Sequence, residues 1–287
     1  MQIGSEEHKQ LFCRSFIETH RPYEPRDMPW PVLDDVSLAR LRAIPVWSMA
    51  LSIEVNAGAM LDGFAKTEPD ALVRQAIELQ GYEEARHGRI LGEMVARYGL
   101  TAHTSVSNEK PTRESFVNFG YDECVDSFAG FGIFRLACDA RILPDSLTSL
   151  FLRVMEEEAR HIVFFVNWIA WDRERAGCRG PVMQAVPTLL EYFRAVTRRA
   201  KSGSEMAAGG GSSATDGAIN LFEDVLKGLT PTKFLRACID ENERYMRGFD
   251  ARLLRPRFIP ALARAALFVL EIVERFRATL RRGEARA

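Results

Sequence analysis

Glu83-Glu84-Ala85-Arg86-His87 and Glu157-Glu158-Ala159-Arg160-His161 are one pentapeptide occurring twice. In each copy a glutamate and a histidine stand three residues apart, Glu84 with His87 and Glu158 with His161. On an α-helix that spacing puts both side chains on one face, a turn from each other. A carboxylate and an imidazole so placed can ligate one metal ion, and a carboxylate can also bridge two. Oxygen and imidazole donors without thiolate suit Fe(II) or Mn(II) and speak against a structural zinc site. A single Glu-x-x-His is more often a surface helix with a spare histidine; its doubling reverses that reading.

Two such helices need one more carboxylate from each of two others. A hairpin returns the chain to the same height, so these are sought about thirty residues upstream. Glu54 lies 30 residues before Glu84, in Trp47-Ser48-Met49-Ala50-Leu51-Ser52-Ile53-Glu54. A lone carboxylate buried there would be costly without a partner. Asp126 lies 32 residues before Glu158 and is followed by apolar Phe128 to Phe134, while Glu123 and Asp122 compete from 35 and 36 residues upstream. The expected ligands are Glu54, Glu84, His87, Asp126, Glu158 and His161, holding two iron ions, with manganese or a mixed Fe/Mn pair as variants.

Around these residues the chain reads as all-α: alternating β-branched runs are absent, and apolar spacing of i, i+3, i+4 recurs over most of the length. Residues 1–37 form an irregular lead marked by Pro22, Pro25, Pro29 and Pro31. Four helices are expected within 38–180. The first runs from Leu38 to Ala65, with Pro45 at a kink or a later start, and the second from Thr67-Glu68-Pro69 to Tyr98, stopped by Gly99. After polar Thr101 to Thr112, a third runs from Glu114 to Ile142 and a fourth from Asp145 or Ser146 to Ala176. Residues 181–287 are a helical extension, with helices over Val186–Lys201, Ala218–Leu229, Pro231–Leu254 and Pro260–Arg282. A flexible Gly/Ser-rich loop is expected at 202–217.

The pattern Glu…Glu-x-x-His…Asp/Glu…Glu-x-x-His over Leu38 to Ala176 resembles the ferritin-like di-iron carboxylate superfamily. An acid before each ligand glutamate (Glu83, Glu157) and an arginine before each histidine (Arg86, Arg160) narrows the likeness. That form is similar to the [Asp/Glu]-Glu-x-Arg-His motif of bacterial multicomponent monooxygenase hydroxylases and related di-iron oxidases. The resemblance implies a ferritin-like four-helix bundle with additional C-terminal helices. It also implies that Glu157 accepts a hydrogen bond from His87 and Glu83 from His161, with Arg86 and Arg160 neutralising the buried carboxylates. Aspartate on the third helix departs from the commoner glutamate and would leave the second ion's coordination more open.

The implied activity is that of an O2-activating oxidase or monooxygenase acting on a small organic or lipid-like substrate. No flavin or nucleotide fingerprint and no cysteine cluster occurs, so an external electron donor is expected. A ferritin- or rubrerythrin-like role in iron handling or peroxide removal competes with this. Against it stand the long extension after the fourth helix and the lack of a rubredoxin-type cysteine pair. A metal-free helical scaffold is the third reading.

The rest of the chain narrows these choices. Hydrophobic residues make up 47% and charged residues 27%, with a net charge of −1, so nothing suggests capture of nucleic acid. Met1 to Gln10 is polar, unlike a signal peptide, and no run of eighteen uncharged apolar residues occurs. Five scattered cysteines without a C-x-x-C pair argue against disulfides and iron–sulfur clusters and point to the cytoplasm. His8, His20 and His103 fall in the lead or a loop and read as surface residues, and Tyr82 and Tyr121 as core aromatics. Ala57, Gly58, Gly81, Gly88, Gly130 and Gly132 flank the ligands. They serve either close helix packing or a substrate space lined by Phe128, Phe131, Phe134 and Phe165. The last helix carries Arg264, Arg275, Arg277, Arg281 and Arg282 beside an apolar face. Docking on the bundle or on a second copy in a homodimer is expected of it, with a membrane surface as the alternative.

Overall fold

The computed structural model describes residues 1–44, 46–107, 110–178, 180–209 and 230–284, and all regular structure among them is helical. The helices are α1 (Glu6–Glu18), α2 (Asp35–Ala43), α3 (Trp47–Ala65), α4 (Ala71–Tyr98), α5 (Arg113–Asp139), α6 (Asp145–Arg175), α7 (Pro181–Gly209), α8 (Pro231–Met246) and α9 (Phe258–Glu284). A short 3-10 turn covers Pro25–Asp27. No single described helix is long and apolar enough to cross a membrane.

The local signals explain most boundaries. The Asp70 carboxylate accepts from the backbone N–H groups of Leu72 and Val73, opening α4 a turn later than Thr67-Glu68-Pro69 suggests. Gly99 closes α4 in the left-handed region, at φ 60°. Thr112 and Ser115 form a reciprocal capping box at the start of α5.

Two expectations fail, and the first bundle helix is divided close to the kink or later start expected at Pro45. The lead is not irregular: Ser5 caps α1, whose Phe12, Cys13 and Phe16 are buried. Its inward stripe also includes His8 and Lys9, so the apolar period that marks a helix is interrupted. The helix expected over 38–65 is two, α2 and α3; Ile44 between them is extended, and the indole of Trp47 donates to the Leu41 carbonyl at 3.0 Å. Pro45 itself lies outside the described residues. The loop expected from Ser202 is helical through Gly209, since α7 continues to that point. The remainder of that loop and the helix expected at 218–229 lie outside the described residues.

Helices α3 and α4 pack along each other, as do α5 and α6, and contacts of α3 with α5 and of α4 with α6 close the group. Helix α1 lies against α4 and α6. Helices α7 and α8 lie on α5, and α9 on α8, α5 and α7. Helix α9 still leaves Phe268 and Phe276 exposed.

Two apolar cores form. One contains Leu61, Phe64, Ile77, Phe116, Phe165 and Trp168, with Phe116 stacked on Phe64 at 4.6 Å and edge-on to Trp168 at 4.6 Å. The other contains Leu41, Ile90, Met94, Leu147 and Leu150. Fully burying such a side chain is worth roughly 1.5–3 kcal/mol. Along α4 and α6 the twin pentapeptides fall between the two cores. Small residues bring α3 close to α4 there: a Cβ on Gly58 would stand 2.9 Å from the Ala85 nitrogen. Close packing therefore accounts for Gly58.

Candidate metal centre

Four helices turn acidic or imidazole side chains toward one point between those cores. Glu54 comes from α3, Glu84 and His87 from α4, Glu123 from α5, and Glu158 and His161 from α6. One ligating atom each of Glu54, Glu84, His87 and Glu158 lies within 4.8 Å of the others, and the same holds for Glu84, Glu123, Glu158 and His161. Glu84 and Glu158 belong to both groups. The two candidate sites are thus adjacent and share two carboxylates.

The distances show how the donors converge. His87 Nδ1 stands 3.1 Å from Glu158 and 3.5 Å from both Glu54 and Glu84. His161 Nδ1 stands 2.8 Å from Glu84 and 3.7 Å from Glu158. The two imidazole rings are 5.7 Å apart.

Asp126 is not in this group, and Glu123 takes its place. The Asp126 carboxylate is held by Arg199 of α7 at 2.6 Å, and Asp122 by Arg198 at 2.7 Å. The reason is helix phase. The inward stripe of α5 runs Phe116, Gly120, Glu123, Ser127, Phe131, all buried, at intervals of three and four residues. Asp126 falls off that stripe. The stripe is visible in the sequence, and its phase is a better guide than the count of residues back from Glu158. With glutamate here, the shortened side chain expected on the third helix does not arise.

Behind each histidine stands a carboxylate from the facing pentapeptide. His87 Nε2 is 2.8 Å from Glu157, which also accepts from Arg86 at 2.6 Å and from the Tyr23 hydroxyl at 3.0 Å. His161 Nε2 is 2.9 Å from Glu83, which also accepts from Arg160 at 3.0 Å and from His20 at 2.5 Å. Arg86 is fully buried and stacks 3.9 Å over the Tyr23 ring; Arg160 also donates to the Phe16 carbonyl at 2.7 Å. Tyr23, His20 and Phe16 belong to the stretch expected to be an irregular lead. The sequence carries no spacing signal for them, because only the docking of α1 and the following segment brings them here.

Nor are the spare histidines all surface residues. His20 joins the Glu83 network, and His8 is buried, 2.9 Å from Asn167 Oδ1, tying α1 to α6. His103 is exposed as expected. Phe128, Phe131 and Phe165 are packed into the core, and neither they nor Phe134 line the cavity that opens beside the centre. Tyr121 is buried, whereas Tyr82 is partly exposed and donates to Glu24 at 2.7 Å.

The donor set fits two divalent cations. With an ion bound and Nε2 donating to a carboxylate, each histidine would present an unprotonated Nδ1 inward. Both Nδ1 atoms and Glu84 Oε1 are buried without a hydrogen-bond partner. Buried polar atoms are rarely left so, and nitrogens aimed between several oxygens could serve as ligands to a metal ion. The charge agrees as well. Glu54, Glu83, Glu84, Glu123, Glu157 and Glu158 bring six negative charges, and Arg86 and Arg160 two positive ones. The four left over equal the charge of two divalent ions.

Without such ions the cluster is strained electrostatically. Burial, chiefly, pushes the Glu54 carboxyl up to about 8. Burial and then the negative charges of Glu158 and Glu84 push Glu123 well above its usual range. Burial works in the same sense on Glu83 and Glu157, yet the hydrogen bonds from His161 and His87 overcome it and hold both carboxylates below it. The outer pair is thus built to stay ionised; against burial, His161 and His87 also hold Glu84 and Glu158 below the usual range, so Glu54 and Glu123 alone among the inner carboxylates are pushed toward the neutral form.

No protein-family model matches this chain, and no curated protein or solved structure does.

Beside the centre, on the side of Glu123, opens a cavity of about 1070 Å³ between α3, α5, α7 and the segment leading into α5. Around the outer carboxylates, Tyr23 donates to Glu157 and Arg160 lies over the Phe16 ring, and a smaller cavity of about 270 Å³ is lined by Tyr23, Glu157 and Arg160.

Proposed function

We propose that this chain is a ferritin-like di-iron carboxylate oxidoreductase that uses O2 to oxidise a small organic molecule. The observation that carries this reading is the pair of four-donor groups sharing Glu84 and Glu158, each with its histidine anchored through Nε2 to a carboxylate of the other pentapeptide. Glu54, Glu84, His87 and Glu158 would hold one ion, and Glu84, Glu123, Glu158 and His161 the other. When bound, a pair of iron ions supplies two electrons to O2, which neither glutamate nor histidine can do.

The chain's own residues supply the rest. Glu157 and Glu83 fix the histidine tautomers and make each Nδ1 a better donor. Arg86 and Arg160 balance the outer carboxylates, so the protein can bury six acids on neighbouring helices. Tyr23 adds a hydrogen bond to Glu157, and the cavity leaves the Glu123 side open to a substrate. Electrons beyond those taken from the substrate would come from a separate donor protein.

That cavity favours this reading over iron storage, which has no use for a chamber of small-molecule size beside the metals. Metal analysis tests the proposal. After anaerobic reconstitution with Fe(II), the purified protein should hold two ions per chain and oxidise them on exposure to O2, and His87→Ala or Glu158→Ala should abolish binding. Neither Fe nor Mn near two per chain would sink it, and iron loading far above two in a hollow oligomer would favour storage.

A further inference from the structure

We propose that the cavity beside Glu123 binds the organic substrate, and that it selects a small carboxylic acid with an apolar or aromatic body. The inference rests on the proposed oxidoreductase reading and names the substrate class of that same site.

The walls of the cavity differ in character. Met49, Ile53 and Met60 of α3 and Phe119 of α5 form an apolar side that leads to Glu123. Arg198 and Arg199 of α7 face it, with Lys110 and Glu114 exposed at the mouth. Most other polar groups are already engaged with one another. Ser52 Oγ accepts from the Ser105 N–H at 3.0 Å, and Asn56 bridges the Ser105 carbonyl and the Ser107 N–H, each at 2.8 Å. These bonds fasten the segment before α5 to α3, so this wall is built by the protein rather than left by a loose loop.

The cationic wall is engaged unevenly. Arg198 places Nε and Nη2 on Asp122. Arg199 directs Nη2 to Asp126, but its Nε is buried with no acceptor. That Nε has no exposed surface for a ligand to meet, but the rest of the guanidinium, held through Nη2 alone, lines the cavity about a third exposed, and a carboxylate is the acceptor whose geometry and charge suit it best. Asp122, which Arg198 grips, is the chain neighbour of Glu123, and both line the same cavity as the two arginines. A substrate anchored by its carboxylate at Arg199 would lay its body along Met60 and Phe119 toward the centre. Charged and amide groups interrupt the walls, so a long acyl chain finds no continuous apolar channel here.

The test uses the full chain, reconstituted anaerobically with Fe(II) and analysed for metal. Binding of aryl and short alkyl carboxylates, 3-phenylpropionate among them, is compared with that of their neutral amides by calorimetry and ligand-observed NMR. The acids should bind more tightly by about tenfold or more, the loss expected when a charge-assisted hydrogen bond is removed. Arg199→Gln should erase that preference while the amides bind as before, Arg199→Lys should keep part of it, and Met60→Trp should block both classes by filling the chamber. Circular dichroism and metal content near wild type confirm that each variant is folded. Failure of every acid to bind at about 1 mM, equal binding of acids and amides, or an intact preference in Arg199→Gln would overturn the proposal. Two irons per chain without acid preference would refute the substrate class alone. Acid preference in a chain that takes up no metal would refute the metal reading and leave the anion site standing.

Discussion

Exchanging one carboxylate on α5 separates ligation from ion pairing. Glu123 is one of four donors facing the second candidate ion, together with Glu84, Glu158 and His161, whereas Asp126, one turn on, is paired with Arg199 at 2.6 Å. Removing even an outer partner of a metal ligand costs about 10- to 100-fold in affinity, and a lost ligand should cost at least that. Glu123→Gln should therefore lower the stoichiometry from two ions per chain toward one, because Glu54, Glu84, His87 and Glu158 still form a complete group. The metal-free protein should respond in the opposite sense. Burial and the charges of Glu158 and Glu84 disfavour the Glu123 carboxylate, so a neutral amide relieves repulsion. A gain of about 1 kcal/mol corresponds to roughly 2–4 °C in Tm for a chain of this size. Asp126→Asn loses an ion pair about a third exposed, worth about 0–1 kcal/mol, and should keep both metals. Metal content by plasma emission and paired melts with and without Fe(II) read both quantities. If Asp126→Asn drops to one ion while Glu123→Gln keeps two, the assignment of the α5 ligand is wrong.

Three further outcomes follow from the same geometry. In the metal-free protein the Glu54 carboxyl is raised to about 8 from 4.5, so its neutral form is favoured by folding. Its contribution is complete below the unfolded value and is lost as pH rises toward 8. Metal-free wild type should thus melt lower at about pH 8 than at about pH 6, and Glu54→Gln should flatten that decline; equal slopes would contradict it. Tyr23→Phe removes a donor 3.0 Å from Glu157 and should weaken Fe(II) binding about tenfold with little change in secondary structure, as competition with a chelator would show. Gly58→Val would press its side chain against the Ala85 backbone, where even a Cβ stands at 2.9 Å, and should destabilise by about 1–3 kcal/mol in chemical denaturation. An unchanged midpoint would mean that α3 and α4 are not so closely packed.

Local order in the chain determined much of this protein. Spacing of three within each pentapeptide puts Glu84 beside His87 and Glu158 beside His161, because a helical turn is a local property that needs no tertiary contact. Hairpin return made Glu54 the natural partner of Glu84, and Asp70, Gly99 and Thr112 end or begin helices through bonds to their own neighbours. What only the tertiary structure decided is everything set by rotation and docking. The choice of Glu123 over Asp126 depends on which face α5 turns inward, and that is settled by Phe116, Gly120 and Phe131 packing against other helices. The outer network depends on α1 and the segment after it folding back to set His20 and Tyr23 on Glu83 and Glu157, across 63 and 134 residues of chain. No periodicity encodes contacts at such separations; they arise because buried carboxylates need donors, and the fold brings those donors to them.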